Sequence, residues 1–461
     1  MIVILVFLGF LILGGVAPYV RQPEVGEDYQ NQFDAESFYA DATSCDRAAI
    51  VEGNGDALIE RVRMIEHAKE RVILSTFDFR SDTAGKQMLS ALISAAERGV
   101  RVQILTDGFN FLTHMKGNSY FYALVRTENI EFKVYNPVNL LTPWKGMSRM
   151  HDKYLVADEE VYLLGGRNTF NYFLGDQDSH KNYDRDVLVY NTGGEESSLY
   201  QVMDYFEGVW NLKYCKAWKP GTWLTDAESV DRASAELQEI YNVMMEVHGE
   251  WFEKADYESV TVPTNKVTLL SGQTSLYSKE PQVFYGLGQL MKNAREKVVV
   301  HTPYIICNQM MYETFAEVCE AGTEVTIMTN SARNNGNPFG AADYVLHKEK
   351  ILDTGVNVLE YDGGISYHAK SMVIDDDLAI VGSFNMDMKS VYQDTELMLV
   401  VNSKELSAQL SELFEVYQED AVRADPERAP MEELFGGDVS GAQKIERFFI
   451  MLLDPLLRFL L

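Results

Sequence analysis

Apolar positions along this chain alternate between two rhythms. Over residues 56–70 (DALIERVRMIEHAKE), Leu58, Val62, Ile65 and Ala68 recur at helical spacing and put one apolar face on a helix. VILSTFDF follows as a short, nearly continuous apolar run, the pattern of a buried strand. A second helical pattern covers 84–98 and stops at Gly99, a residue suited to the left-handed position just past a helix. VRVQILTD is the next strand. Strand–helix–strand alternation predicts an α/β fold with a mostly parallel sheet and helices on its faces.

The same rhythm returns in the second half. IEHAKERVILSTFDF (65–79) resembles MKNAREKVVVHTPYI (291–305), and AAERGVRVQILTD (95–107) resembles EVCEAGTEVTIMTN (317–330). RMHDKYLVADEEVYLLGGRN (149–168) resembles SYHAKSMVIDDDLAIVGSFN (366–385), and DRDVLVY (184–190) resembles DTELMLV (394–400). Four blocks in the same order mark two copies of one unit. The first unit is expected over 45–199 and the second over 266–420. Residues 200–265 form a mostly helical connector (ASAELQEIYNVMMEVHGEWFEKA). An acidic, turn-rich linker covers 421–443.

Both ends are apolar. Residues 2–20 carry no charge and, as one helix at ~1.5 Å per residue, would nearly match the ~30 Å hydrocarbon core. No basic residue precedes them, which favours an uncleaved membrane anchor over a signal peptide. The tail, 444–461, is apolar but broken by Asp454, Pro455 and Arg458. Pro455 is expected to stop a straight helix. The tail reads either as a segment lying on a membrane or as a helix docked on the core.

Composition narrows the class. Apolar residues at 46% and charged residues at 24% exclude a disordered or collagen-like chain. Forty Lys and Arg against 69 Asp and Glu leave a formal charge of −29. That argues against a nucleic-acid partner held by phosphate attraction. The four cysteines have no C-x-x-C spacing and give no zinc signature. His67 and His347 fall on helix-like runs and are read as surface positions. His180 sits in an acidic loop (LGDQDSHKNYD) read as solvated.

The chemistry lies in the third repeated block. His151 and Lys153 stand two apart, followed by Asp158, Gly165-Gly166 and Asn168. His368, Lys370, Asp375, Gly382-Ser383 and Asn385 repeat that spacing. Residues two apart on extended chain face one side, so each His–Lys pair projects together. Lysine and asparagine offer donors to phosphate oxygens, and imidazole can attack phosphorus or carry a proton near neutral pH. Two copies supply two histidines for an in-line displacement.

This H-x-K-x4-D-x6-G-[GS]-x-N pattern, present twice, resembles the signature of the phospholipase D superfamily, and within it most resembles bacterial cardiolipin synthases. The resemblance covers roughly 45–415. It implies two pseudo-twofold-related α/β/α units sharing one active site, with no metal and no cofactor. Carried over, it implies His151 as nucleophile and His368 as general acid. Lys153, Lys370, Asn168 and Asn385 would hold the phosphate, with Gly166 and Ser383 letting it approach the backbone. Asp186 and Glu396 match the acidic residues that orient each histidine. Asp158 and Asp375 would brace the neighbouring loop. After Asn168 the chain reads TFNYF, where relatives carry an acidic residue like Asp387 of the second copy.

The implied reaction joins phosphatidylglycerol to a second phospholipid at the cell membrane, with phosphatidylethanolamine as another candidate substrate. Hydrolysis of phospholipids to phosphatidic acid is the alternative. A nuclease and a non-catalytic lipid scaffold are more remote. The −29 charge repels anionic lipid at long range. The apolar ends would hold the enzyme at the surface, leaving Lys153 and Lys370 as a local positive spot.

Overall fold

The computed structural model describes residues 2–176, 180–219, 226–428, 430–435 and 441–461. The first unit contributes β1 (Asp46–Val51), β2 (Arg71–Thr76), β3 (Arg101–Asp107), β4 (Ile130–Tyr135), β5 (Tyr154–Ala157), β6 (Val161–Gly165) and β7 (Asp186–Asn191). The second contributes β8 (Lys266–Ser271), β9 (Lys297–His301), β10 (Glu324–Asn330), β11 (Asn357–Tyr361), β12 (Lys370–Ile374), β13 (Leu378–Gly382) and β14 (Leu397–Asn402). The first sheet runs β1-β7-β6-β5-β2-β3-β4 and the second β8-β14-β13-β12-β9-β10-β11, the same order twice. Duplication is therefore a property of the topology as well as of the sequence.

The expected mostly parallel sheet is corrected. Within these two sheets, among the described residues, β2–β3–β4 and β9–β10–β11 pair in parallel and the other pairs are antiparallel. Crossover helices such as Thr83–Glu97 and Gln309–Glu320 join the parallel strands. Gly99 and Gly322 terminate those two helices in left-handed conformations, with φ of +96° and +98°. After β4 and β11 the chain instead doubles back in hairpins, β5–β6 and β12–β13.

Asp158 and Asp375 make those hairpin turns at φ of +52° and +56°. The Asp158 carboxylate accepts the backbone N–H groups of Lys69, Glu70 and Arg71, and Asp375 those of Arg295, Glu296 and Lys297. Each aspartate thus pins its hairpin to the start of the neighbouring strand. Burial pushes the Asp375 carboxyl up, but those three N–H groups and Arg295 outweigh it and hold it below its ordinary value.

Each sheet has its own outer core. A third core lies where the halves meet, from Val156, Leu164 and Val187 on one side to Val373, Val381 and Leu399 on the other. Phe206 and Phe414, from helices Ser198–Trp210 and Lys404–Gln418, complete it. The connector adds strands Cys215–Ala217 and Val262–Pro263 to opposite edges of the first sheet, and its helix Ala227–Val247 packs on that half. Residues 220–225 of the connector, 429 and 436–440 of the linker, and 177–179 of the His180 loop lie outside the described residues.

Two expectations about the ends change. The N-terminal helix covers only Ile2–Val16, roughly 22 Å at ~1.5 Å per residue. Pro18 has no N–H and disfavours helix at Ala17, so the chain turns into Ala17–Tyr19. Tyr19 is buried and donates its hydroxyl to the Leu276 carbonyl at 2.8 Å. Among the described residues no helix is long and apolar enough to cross a membrane, so a spanning anchor over 2–20 is not supported. At the other end, Pro455 does not stop the helix. It sits in the last turn of Gly441–Leu457, where few hydrogen bonds remain to be lost.

Candidate active site

His151 and Lys153 lie on extended chain just before β5, and His368 lies two residues before Lys370 opens β12. Each segment pairs with the opposite half. Met150 bridges Thr395, and the His151 N–H donates to the Thr395 carbonyl. Ser366–Tyr367 pairs with Asn182–Tyr183, and the His368 N–H donates to the Tyr183 carbonyl at 2.6 Å. The crossing brings both His–Lys pairs into one centre. Each histidine Nδ1 meets a carboxylate from the other half: His151 Nδ1 lies 2.9 Å from Glu396 Oε1, and His368 Nδ1 lies 2.6 Å from Asp184 Oδ2. With Nδ1 engaged, Nε2 is the nitrogen left for chemistry.

Asp184 corrects the expectation placed on Asp186. β6 pairs with β7 so that Gly165 faces Asp186, and β13 pairs with β14 so that Gly382 faces Met398. Gly165 and Gly382 are equivalent, so Asp186 corresponds to Met398 and Asp184 to Glu396. The two acids of DRD lie on one side of the strand, and a two-residue slip leaves every side chain on its face. Asp186 instead closes a buried ion pair with Arg61 (3.0 Å) and Arg167 (3.2 Å).

This register also explains glycine at 166. A Cβ there would lie 2.2 Å from Asp184 Oδ1. In the second half Ser383 occupies the matching place, and its hydroxyl donates to Glu396. The backbone N–H groups of Gly166 and Ser383 are spent on the Arg185 and Leu397 carbonyls. The close approach of phosphate to the backbone expected at these two residues would therefore find neither N–H free to donate. Both shape the carboxylate that holds a histidine. Gly166→Ser is expected to push Asp184 off His368 and lower turnover by about 10²-fold or more while far-UV circular dichroism is unchanged. Full activity in that variant would refute the assignment.

Lys153 Nζ donates to the His151 carbonyl and Lys370 Nζ to the His368 carbonyl, and Lys370 Nζ also sits 3.3 Å from His368 Nε2. Asn168 Oδ1 accepts the Asp78 N–H at 3.3 Å, while Asn385 Oδ1 is buried without a partner. Phe77 stands edge-on to His151 at 4.9 Å and Phe173 to His368 at 5.0 Å. Phe173, from the divergent TFNYF stretch, thus lines the His368 side. Asp387 caps helix Met388–Tyr392 by accepting the Ser390 N–H, and Ser390 Oγ donates to Glu396 Oε1. Thr395, Ser390, Phe77 and Phe173 carry no sequence signal of their own: Thr395 and Phe173 reach the histidines only because the halves cross, and Phe77 and Ser390 take their places only through packing within their own half.

Burial dominates the electrostatics. It brings Lys153 down to about 7, with Glu396 resisting and Lys370 assisting, and Lys370 down to about 8 against Asp184 and Glu396. Burial, then Lys370, lowers His368 to about 4 against the pull of Asp184. Burial and Lys153 hold His151 well below its ordinary value. The carboxylates differ. Burial raises Glu396, whereas at Asp184 burial is outweighed by Lys370 and His368, which keep it well below the usual carboxylate range.

In the free protein burial therefore favours the neutral form of both imidazoles, and the lysines carry the protons that titrate near neutral pH. The expected profile of kcat/KM is flat across pH 5–6.5 and falls through 7–8, as Lys153 and then Lys370 lose charge. A rise through pH 6.5 would instead mark a titrating histidine.

The sequence profile of the family described as cardiolipin synthase, PLD-like domain, matches residues 62–210 and 287–417, one segment in each half. "Cardiolipin synthase C" of Escherichia coli (strain K12) is 26% identical over 404 residues, 79% of this chain and 83% of that protein. "Cardiolipin synthase" of Clostridium perfringens (strain SM101 / Type A) is 23% identical over 363 residues, 77% of this chain and 67% of that protein. The crystal structure of phosphatidylserine synthase from Haemophilus influenzae Rd KW20 shares the fold, with a TM-score of 0.63 at 16% identity over 90% of this chain and 95% of that one. Two half-sites crossed at one centre, each in a matched segment, agree with those likenesses: the chain belongs to the cardiolipin synthase, PLD-like domain family of the phospholipase D superfamily.

Proposed function

We propose that the chain is a membrane-associated phosphatidyltransferase of the cardiolipin synthase type, working through a phosphohistidine. The observation that carries this reading is the pair of histidines, each held at Nδ1 by a carboxylate from the opposite half. His151 is the nucleophile. Its Nε2 attacks the phosphorus of phosphatidylglycerol, a nitrogen–phosphorus bond forms, and the bond to the glycerol oxygen breaks. Lys370, whose Nζ lies 3.3 Å from His368 Nε2, gives that nitrogen a proton, and His368 hands it to the leaving glycerol oxygen. In the second step His368 takes the proton of a second lipid's hydroxyl, whose oxygen attacks phosphorus and releases His151. The firmly ionised Asp184 suits the histidine that must become positive, and the raised Glu396 suits the one that must start neutral. Lys153 and Lys370, with Asn168 and Asn385, surround the phosphate oxygens.

Membrane association rests on the exposed apolar surface at both ends. Ile4, Val6 and Leu13 of the first helix and Phe449, Leu452 and Leu456 of the last are exposed. Charge at Phe449 and Leu452 is expected to lower activity on vesicles by about 10²-fold or more and leave a short-chain soluble substrate unaffected, since each lost apolar contact removes ~1.5–3 kcal/mol of burial and each ~1.4 kcal/mol is a factor of ten. Equal loss on both substrates would contradict it. The reading itself is tested by incubating the protein with phosphatidylglycerol vesicles and identifying products by mass spectrometry. Cardiolipin with glycerol is expected. Phosphatidic acid alone would favour the hydrolase.

A further inference from the structure

The C-terminal helix Gly441–Leu457 lies along helix Pro338–Leu352, and a cluster at their contact takes no part in the chemistry above. Asp343 and His347, four residues apart, share a face of Pro338–Leu352. Asp454 meets them from the C-terminal helix. One ligand atom from each residue lies within 4.8 Å of the others. Asp343 and Asp454 are 0% and 1% exposed.

Both oxygens of Asp454 are buried and have no hydrogen-bond donor. The nearby cation, Arg458, is committed elsewhere: its Nε donates to Asp343 Oδ2 at 2.5 Å, and Nη2 reaches the Cys307 carbonyl and the Tyr312 hydroxyl. Lys350 also acts on His347, at longer range. Two buried carboxylates against one guanidinium leave a negative charge uncompensated, an arrangement costing several kcal/mol unless something positive completes it. His347 Nδ1 lies 3.1 Å from the Asp343 carbonyl oxygen. Donating there, it leaves Nε2 with its lone pair.

We propose that Asp343, His347 and Asp454 form a binding site for a first-row divalent cation of the zinc class, clamping the C-terminal helix to the second half. One imidazole nitrogen with two carboxylates is a zinc-type set of three protein ligands with an open position. Magnesium and calcium would require more oxygens and no imidazole. Arg458 on Asp343 is the outer partner that orients a ligating carboxylate.

The clamp has a route to the active site. Beyond the helix, the Leu461 and Phe459 carbonyls accept from the Lys389 N–H (2.7 Å) and Gln393 Nε2 (3.0 Å). Lys389 lies in the short helix whose Ser390 holds Glu396, the partner of His151. A tail pinned by the cation therefore supports the segment that positions Glu396.

The test uses the full chain, stripped with chelator and titrated with Zn²⁺ by calorimetry and elemental analysis. Asp454→Asn and His347→Gln are each expected to bind one zinc fewer per chain than wild type, and His368→Ala to keep that equivalent. In wild type, zinc at 100-fold over its Kd should slow proteolytic release of the C-terminal helix about 100-fold. The protease readout keeps the test decisive if a variant fails to fold. No zinc bound by wild type, the same stoichiometry in all variants, or loss only in His368→Ala would overturn the proposal. So would a tail that loosens as pH rises through 6–7 whatever the zinc concentration, since Asp343 and Asp454 would then share a proton instead.

Discussion

Alanine at either His151 or His368 is expected to lower phosphatidyl transfer on the order of 10⁴-fold, and the double variant is expected to be no worse than the single ones. The reason is the crossing. The acid that holds His151 comes from the second half and the acid that holds His368 from the first, so the histidines belong to one centre. Two independent half-sites would instead leave about half the activity in each single variant. The measurement is initial velocity of cardiolipin formation, with circular dichroism to confirm folding.

Asp184→Asn and Asp186→Asn are expected to fail in different ways, although the residues are two positions apart. Asparagine at 184 keeps the shape but removes the negative charge that supports the positive form of His368, and its amide can donate to Nδ1 and favour the wrong tautomer. Turnover should fall by about 10²–10⁴-fold with the melting midpoint unchanged. Asparagine at 186 leaves Arg61 and Arg167 buried without their counter-charge, which costs about 3–5 kcal/mol of stability. That variant should unfold at markedly lower denaturant and, while folded, keep most of its activity. Loss of turnover without loss of stability in Asp186→Asn would restore the register expected from sequence alone.

That register shows where sequence reading stopped. The duplication, the two His–Lys pairs and the hairpin aspartates were legible because each is a local pattern repeated at fixed spacing. Asp158 and Asp375 even reproduce each other's three backbone contacts. Choosing Asp184 over Asp186 was beyond the pattern, because strand periodicity is blind to a shift of two. The direct evidence is the pairing of Gly165 with Asp186 and Gly382 with Met398. Gly166 was the available clue, since glycine where the other copy has serine marks space taken by something else. The mixed sheet was missed because the first strands of each unit follow strand–helix–strand order and only the later ones turn back. The N-terminal run looked long enough to span because apolar character continues through Ala17-Pro18, whereas the helix ends at Val16. His347, taken for a surface position, faces Asp454 only because the chain's last helix returns to it.

The central claim is transfer through a covalent bond to His151, assisted by His368. Its most direct measurement is to mix His368→Ala with phosphatidylglycerol, quench at alkaline pH, digest, and map the modified peptide by mass spectrometry. A phosphatidyl group on His151 of the peptide containing RMHDK is the expected result. A label confined to another residue, or none on a variant that still turns over, would contradict it.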